Sequence, residues 1–165
     1  MGDRNVYFEP ELLVIPNYLE NKPKFLGIGN YTEEGFAFME KYLPVVRTMI
    51  SRAVKFPGLK VVFGTDAVAA AHGRNFEEFV YRVRDARQDP MKALVSAHSL
   101  AAESLGLQDQ IGTLAPGFQA DLIAIEGDPV RDITAVRRVV FVMKGGKVYK
   151  NVAPSERSPT NSQRF

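Results

Sequence analysis

Hydrophobic and polar positions fall into two textures along the chain. Up to about residue 110, short apolar runs are separated by segments whose apolar residues recur at helical spacing; from Ile111 the runs shorten and tight turns divide them. Leu12-Leu13-Val14-Ile15 predicts a buried strand stopped by Pro16-Asn17, after the shorter piece Val6-Tyr7-Phe8. Residues 18–30, where Asn, Lys, Pro and Gly recur, read as a long loop of the kind that often forms a lid. Thr32 before Glu33 and Glu34 marks a helix start running to about Leu43. Pro44 suits the first turn of a new segment, in which Val46, Met49, Ile50, Ala53 and Val54 repeat as a packed face until Pro57-Gly58. The apolar run at 59–63 then predicts a strand buried on both faces, as in a parallel sheet. Strand, loop, helix, strand is a βαβ unit.

Further on, Asn75 is a plausible cap for a helix over 76–83, and Asp89-Pro90 opens another running to about Leu105, ended by Gly106, with His98 on its apolar stripe. A lone His there reads more naturally as a core residue than as a ligand. Residues 111–114 and 120–125 read as a hairpin-like pair around Pro116-Gly117, residues 139–143 as a buried strand, and Gly145-Gly146 as a two-residue hairpin turn. The Pro-, Ser- and Asn-rich stretch 153–165 reads as a disordered tail.

The chemistry concentrates where the run at 59–63 ends in Gly64-Thr65-Asp66. Carboxyl ends of strands are where α/β folds place their chemistry. A carboxylate there can ligate a metal or move a proton; the plainer alternative is a strand-end Asp capping the next loop. His72, Arg74 and Asn75 follow on that loop, and Tyr18 stands at the base of the earlier one. Arg74 and Asn75 either shape a substrate pocket, Arg holding a carboxylate bidentately, or brace the loop.

Composition narrows the picture. A net charge of +2 over 165 residues, with Lys and Arg scattered among acids, argues against nucleic acid. No apolar run is long enough to span a bilayer, and the first residues lack the apolar core of a signal peptide, so a cytoplasmic location away from membranes is expected. With no Cys there is no thiolate metal site.

Four pieces together resemble the C-terminal part of the metal-dependent amidohydrolase superfamily, its dipeptidase-like and imidazolonepropionase-like members above all. They are Gly64-Thr65-Asp66-Ala67 with His72-Gly73-Arg74-Asn75 and Glu77-Glu78-Phe79; Pro90-Met91-Lys92-Ala93-Leu94 through Ala101-Ala102-Glu103-Ser104-Leu105-Gly106; Ile111-Gly112-Thr113-Leu114-Ala115-Pro116-Gly117 with Ala120-Asp121-Leu122-Ile123; and Gly127-Asp128-Pro129 with 140–148. The resemblance implies an α/β fold: the last two βα units of a (β/α)8 TIM barrel over 1–110, with 12–15 and 59–63 as its seventh and eighth strands. C-terminal strands of a small composite β-sandwich over 111–152 would follow. It implies that Asp66 ligates a divalent metal, zinc by preference, and shuttles a proton during hydrolysis of an amide-type C–N bond in a dipeptide or cyclic amide. His72, Arg74, Asn75 and Tyr18 would then face the substrate.

The same resemblance exposes what is missing. A complete barrel takes about 250 residues, and the family's His-x-His pair, bridging Lys or carboxylate and two later His ligands have no counterpart here. A catalytic zinc wants three protein ligands. The expectation is therefore a chain inactive alone and binding no metal by itself, whose partners are a missing N-terminal barrel portion or further copies of itself; a non-catalytic self-associating module or one half of a split enzyme is the alternative.

Overall fold

The computed structural model describes residues 6–152, so the stretch expected to form a tail, 153–165, lies outside the described residues. Strand β1 (Tyr7–Phe8) leads into helices α1 (Val14–Glu20), α2 (Lys22–Phe25) and α3 (Glu33–Ala53), and then into strand β2 (Lys60–Val61). β1 and β2 pair in parallel, Tyr7 opposite Lys60 and Phe8 opposite Val61. An irregular stretch leads to α4 (Glu77–Arg84), α5 (Pro90–Ser96) and α6 (Ser99–Ser104). The rest is β3 (Leu122–Ile125), a 3-10 helix (Ile133–Arg137), β4 (Val139–Lys144) and β5 (Lys147–Asn151), the three strands forming one antiparallel sheet in the order β3-β4-β5.

The first barrel-type strand is not where the apolar run predicts it. It is Tyr7–Phe8, and Leu12 and Leu13 instead enter α1. Leu12, Leu13, Pro16 and Asn17 are the buried positions, a helical spacing that a four-residue apolar run cannot reveal. Pro16 does not stop the segment because it sits in the first turn of α1, where backbone N–H groups lack intrahelical partners in any case. Residues 18–30, expected as loop, thus contribute to α1 and α2.

α3 is one helix through Pro44, not two segments. Thr32 caps it as predicted, its hydroxyl accepting from the Gly35 amide at 3.1 Å. Phe36, Leu43 and Ile50, seven residues apart, are buried. Leu43 and Ile50 join a core with Leu12 and Ala86, against which Ile15, Leu19, Val46 and Val54 pack. A proline in mid-helix removes one backbone hydrogen bond, and this seam offsets the loss.

The helix expected over 90–105 is broken between Ser96 and Ser99. The Ser96 carbonyl, which an unbroken helix would offer to residue 100, accepts the Phe63 amide at 3.0 Å and so prolongs the line of β2. His98 is therefore exposed at a kink, not part of a buried stripe; its Nδ1 lies 2.6 Å from the Leu94 carbonyl. The segment at 111–114 forms no strand. β3 pairs with β4 instead, Leu122 opposite Met143, and Gly112 passes so close over the start of α6 that an added Cβ would lie 2.7 Å from the His98 carbonyl oxygen. Gly145 and Gly146 make the expected β4–β5 turn at φ +55° and +76°. Val80, Ile133 and Val136 form a second core that joins this part to α4, and Arg137 seals it with a bidentate pair to Glu77 (2.9 and 2.6 Å).

Candidate functional site

The two parallel strands open onto one mouth. Glu9 follows β1, and Gly64, Thr65 and Asp66 lie beyond β2. A Cβ at position 64 would fall on the Glu9 carboxylate, so a glycine lets the two strand ends approach. Thr65 is buried, whereas Asp66 is exposed. Asp66 and Glu11 both hold left-handed backbone, at φ +39° and +43°. That conformation is tolerable for Asp and strained for Glu, and such strain gathers at functional sites. The acids feel one another: burial, and then the negative charges of Asp66 and Glu9, push the Glu11 carboxyl above the usual range.

Tyr18 belongs to this mouth. Tyr31 donates its hydroxyl to the Tyr18 oxygen at 2.7 Å, and Phe25 and Tyr31 pack around the ring with centroids 5.2 and 5.0 Å away. That hydrogen bond, partial burial and the charges of Tyr31 and Asp66 push the phenol up to about 12, so it stays protonated and able to donate at neutral pH.

The loop after Asp66 divides the other predicted residues. Arg74 is held back toward α1, its Nη2 donating to Glu20 Oε2 at 2.8 Å and its Nη1 to Asn17 Oδ1 at 3.5 Å. Tyr81 donates to the other Glu20 oxygen at 2.7 Å, and Asn17 donates to the Ala69 carbonyl at 3.0 Å. This geometry favours the bracing role for Arg74. Asn75 does not cap α4; Phe76 occupies that position without a side-chain cap, and Asn75 contributes its backbone carbonyl to the Glu78 amide at 3.2 Å. His72 and Asn75 are exposed, and no hydrogen bond or ion pair joins either to Asp66 among the described residues.

Sequence reasoning missed what lies beneath. Glu78 and Arg82, one turn apart on α4, are both fully buried. Glu78 Oε2 accepts from the Leu13 amide at 2.7 Å and thereby fixes the segment carrying Glu9 and Glu11. Arg82 donates to Gln88 Oε1 at 2.8 Å and to the Val62 carbonyl at 3.1 Å, and its guanidinium lies 5.9 Å from the centroid of Phe63. Glu78 Oε1 and Arg82 Nη2 are buried without hydrogen-bond partners among the described residues. Burial pushes Glu78 up to about 7 despite the Leu12 and Leu13 amides and the Arg82 charge, and burial also lowers Arg82 to about 10. The only advance sign was two adjacent carboxylates in a first turn, which the helix dipole already explains. Glu9 and Glu11 were likewise missed; two acids flanking a proline directly after a strand were the available signal.

The mouth does not amount to a metal centre. Among the described residues no group of three or more His, Asp or Glu side chains is placed to hold an ion, so Asp66 has no companions of the kind a catalytic zinc needs. An apolar groove of about 560 Å3 lies elsewhere, between α6 and the antiparallel sheet, and includes His98, Leu105, Leu114 and Met143 but none of the mouth acids.

Parallel strand ends carrying Gly-Thr-Asp, with an antiparallel sheet docked behind them, define a class, and the chain belongs to the amidohydrolase family, whose model matches residues 1–149. It is similar to the ochratoxinase of Aspergillus niger, with 34% identity over 97 residues, which are 56% of this chain and 20% of that enzyme. Among solved structures it is similar to a Xaa-Pro dipeptidase with bound methionine in the active site: TM-score 0.73, 32% identity, 90% of this chain and 36% of that one. It is also similar to the crystal structure of A. niger ochratoxinase, with TM-score 0.71 and 26% identity over 94% of this chain and 34% of that one. A prolidase complexed with N-methylphosphonate-L-proline matches at TM-score 0.77 and 26% identity, over 92% and 36%. The chain thus spans about a third of the TIM-barrel structures it matches.

Proposed function

We propose that this chain forms the closing βα units and small-sheet strands of a metal-dependent amidohydrolase that hydrolyses an amide-type C–N bond next to a small carboxylate-bearing group, as in a dipeptide. The observation carrying this reading is the placement of Asp66: an exposed carboxylate in left-handed backbone at the carboxyl end of β2, in a chain of this family. Asp66 supplies one oxygen donor and a proton-accepting group to a centre whose other donors the described residues do not contain. Tyr18, held protonated, donates to the substrate beside Asp66; Arg74 braces the loop that carries His72.

The test is complementation. The purified chain, with and without polypeptide carrying the preceding βα units of a related amidohydrolase, is assayed with Zn2+ on Xaa-Pro dipeptides. Hydrolysis is expected only in the mixture. Turnover by this chain alone, or an unchanged blank in a mixture shown to associate, overturns the reading.

A further inference from the structure

The loop from Asp66 to α4 stores strain at a residue with no side-chain means of relieving it. Ala70 holds left-handed backbone at φ +66°. A methyl group disfavours that region, and Ala, unlike Asn or Asp, offers no local hydrogen bond in return. Ala70 is exposed, so packing of its own side chain does not hold it there. Strained backbone persists only where the surroundings over-determine it. The restraint therefore comes from its neighbours.

Ala71, fully buried, donates its amide to the Val68 carbonyl at 2.8 Å, which closes a four-residue turn with Ala69 and Ala70 at its centre. Ala70 but not Ala69 has positive φ. That is the type II form, whose third position ordinarily takes Gly; the type I form suits Ala there, and the two differ by turning over the central peptide. The carbonyl of that peptide belongs to Ala69, and it accepts from Asn17 Nδ2 at 3.0 Å. Asn17 is fully buried on α1, and a buried carboxamide is costly unless paired. Its Oδ1 accepts from Arg74 Nη1 at 3.5 Å, and Arg74 is held again by Glu20 at 2.8 Å. One side chain thus meets both ends of the segment 69–74, with exposed His72 between them.

We infer that Asn17 is a positioning residue: its carboxamide selects the turned-over Ala69–Ala70 peptide and so sets where His72 stands. Contact between His72 and substrate rests on the function proposed above; selection of the peptide does not. In urea unfolding of the full chain, Ala70→Gly should raise the folding equilibrium constant roughly two- to fivefold. In an Asn17→Leu background the same change should give no gain, because the peptide is then free to adopt the form that suits Ala. Asn17→Ser, whose hydroxyl falls short of the Ala69 carbonyl, takes the place of N17L if that variant does not fold. The chain has two His, so their ring Cε1–H proton signals report separately. The Asn17 variant should move the His72 signal toward its position in an unfolded peptide and leave that of His98 in place; lower stability alone moves neither in the folded protein. In the complemented dipeptide assay the variant should raise KM roughly tenfold with kcat within about twofold. Equal gains from A70G with and without Asn17, or an unmoved His72 signal, would overturn the inference. An unchanged KM in an active mixture would overturn its extension to substrate, whereas a wild-type mixture without hydrolysis would overturn the hydrolytic reading and leave the peptide selection to be decided by the other two measurements.

Discussion

The two ends of the β1–β2 pair are built on opposite principles. At the amino ends the paired residues Tyr7 and Lys60 both donate to Glu103 of α6, at 2.9 and 2.6 Å, so opposite charges meet and every group has a partner. At the carboxyl ends three carboxylates, Glu9, Glu11 and Asp66, gather without an ion pair to any cation among the described residues, and two of them sit in left-handed backbone. One end is optimised for stability. The other tolerates like-charge repulsion and strain, which is sensible where a ligand or a missing part of the site supplies compensating charge. Glu78 and Arg82 explain how the second end survives: they tie the Leu13 amide and the Val62 carbonyl to α4 from below.

Removing that support should have the largest effect. Arg82→Leu leaves Gln88 and the Val62 carbonyl without their buried donor and Glu78 without a nearby positive charge, and should destabilise the chain by about 3–5 kcal/mol in urea unfolding. Next is a pH effect at Glu78. Its folded value is raised to about 7, so the folded state holds the proton more tightly than the unfolded chain. The associated stability is fully present below the unfolded value, near 4.5, and is lost as pH rises through about 7. That loss should amount to roughly 3 kcal/mol. Glu78→Gln keeps an oxygen for the Leu13 amide, and its denaturation midpoint should be nearly flat across the same window. Third, Glu11→Gly should stabilise the chain by about 1 kcal/mol by relieving left-handed strain at a residue type that resists it. The smallest effect belongs to the closed end: Glu103→Gln keeps the acceptor, exchanges an ionic for a neutral hydrogen bond at a solvent-accessible position, and should lower the melting temperature only slightly.

The parts legible in the sequence were those with local signals. Thr32 before two carboxylates, Asp89 before Pro90, whose side chain accepts the Lys92 amide at 2.9 Å, and the Gly145-Gly146 turn carry their own chemistry. Gly64-Thr65-Asp66 marked the mouth for the same reason. The failures were tertiary. Leu12-Leu13-Val14-Ile15 is too short to show a period, and Pro16 is harmless in a first turn. The break after Ser96 comes from an amide some thirty residues earlier in the chain, at Phe63, which no window around position 96 contains. Glu78 and Arg82 read as solvated charges because their burial depends on Leu13 and Val62, which arrive from the segments following β1 and β2.

The most direct measurement compares wild type with Asp66→Asn in the complemented, zinc-supplied dipeptide assay, after equal association with the supplied βα units has been established by sedimentation. Asn keeps the size and the left-handed preference of Asp but cannot take up a proton. The account predicts a fall in kcat of at least about 10²-fold; an Asp66→Asn chain as active as wild type would contradict it.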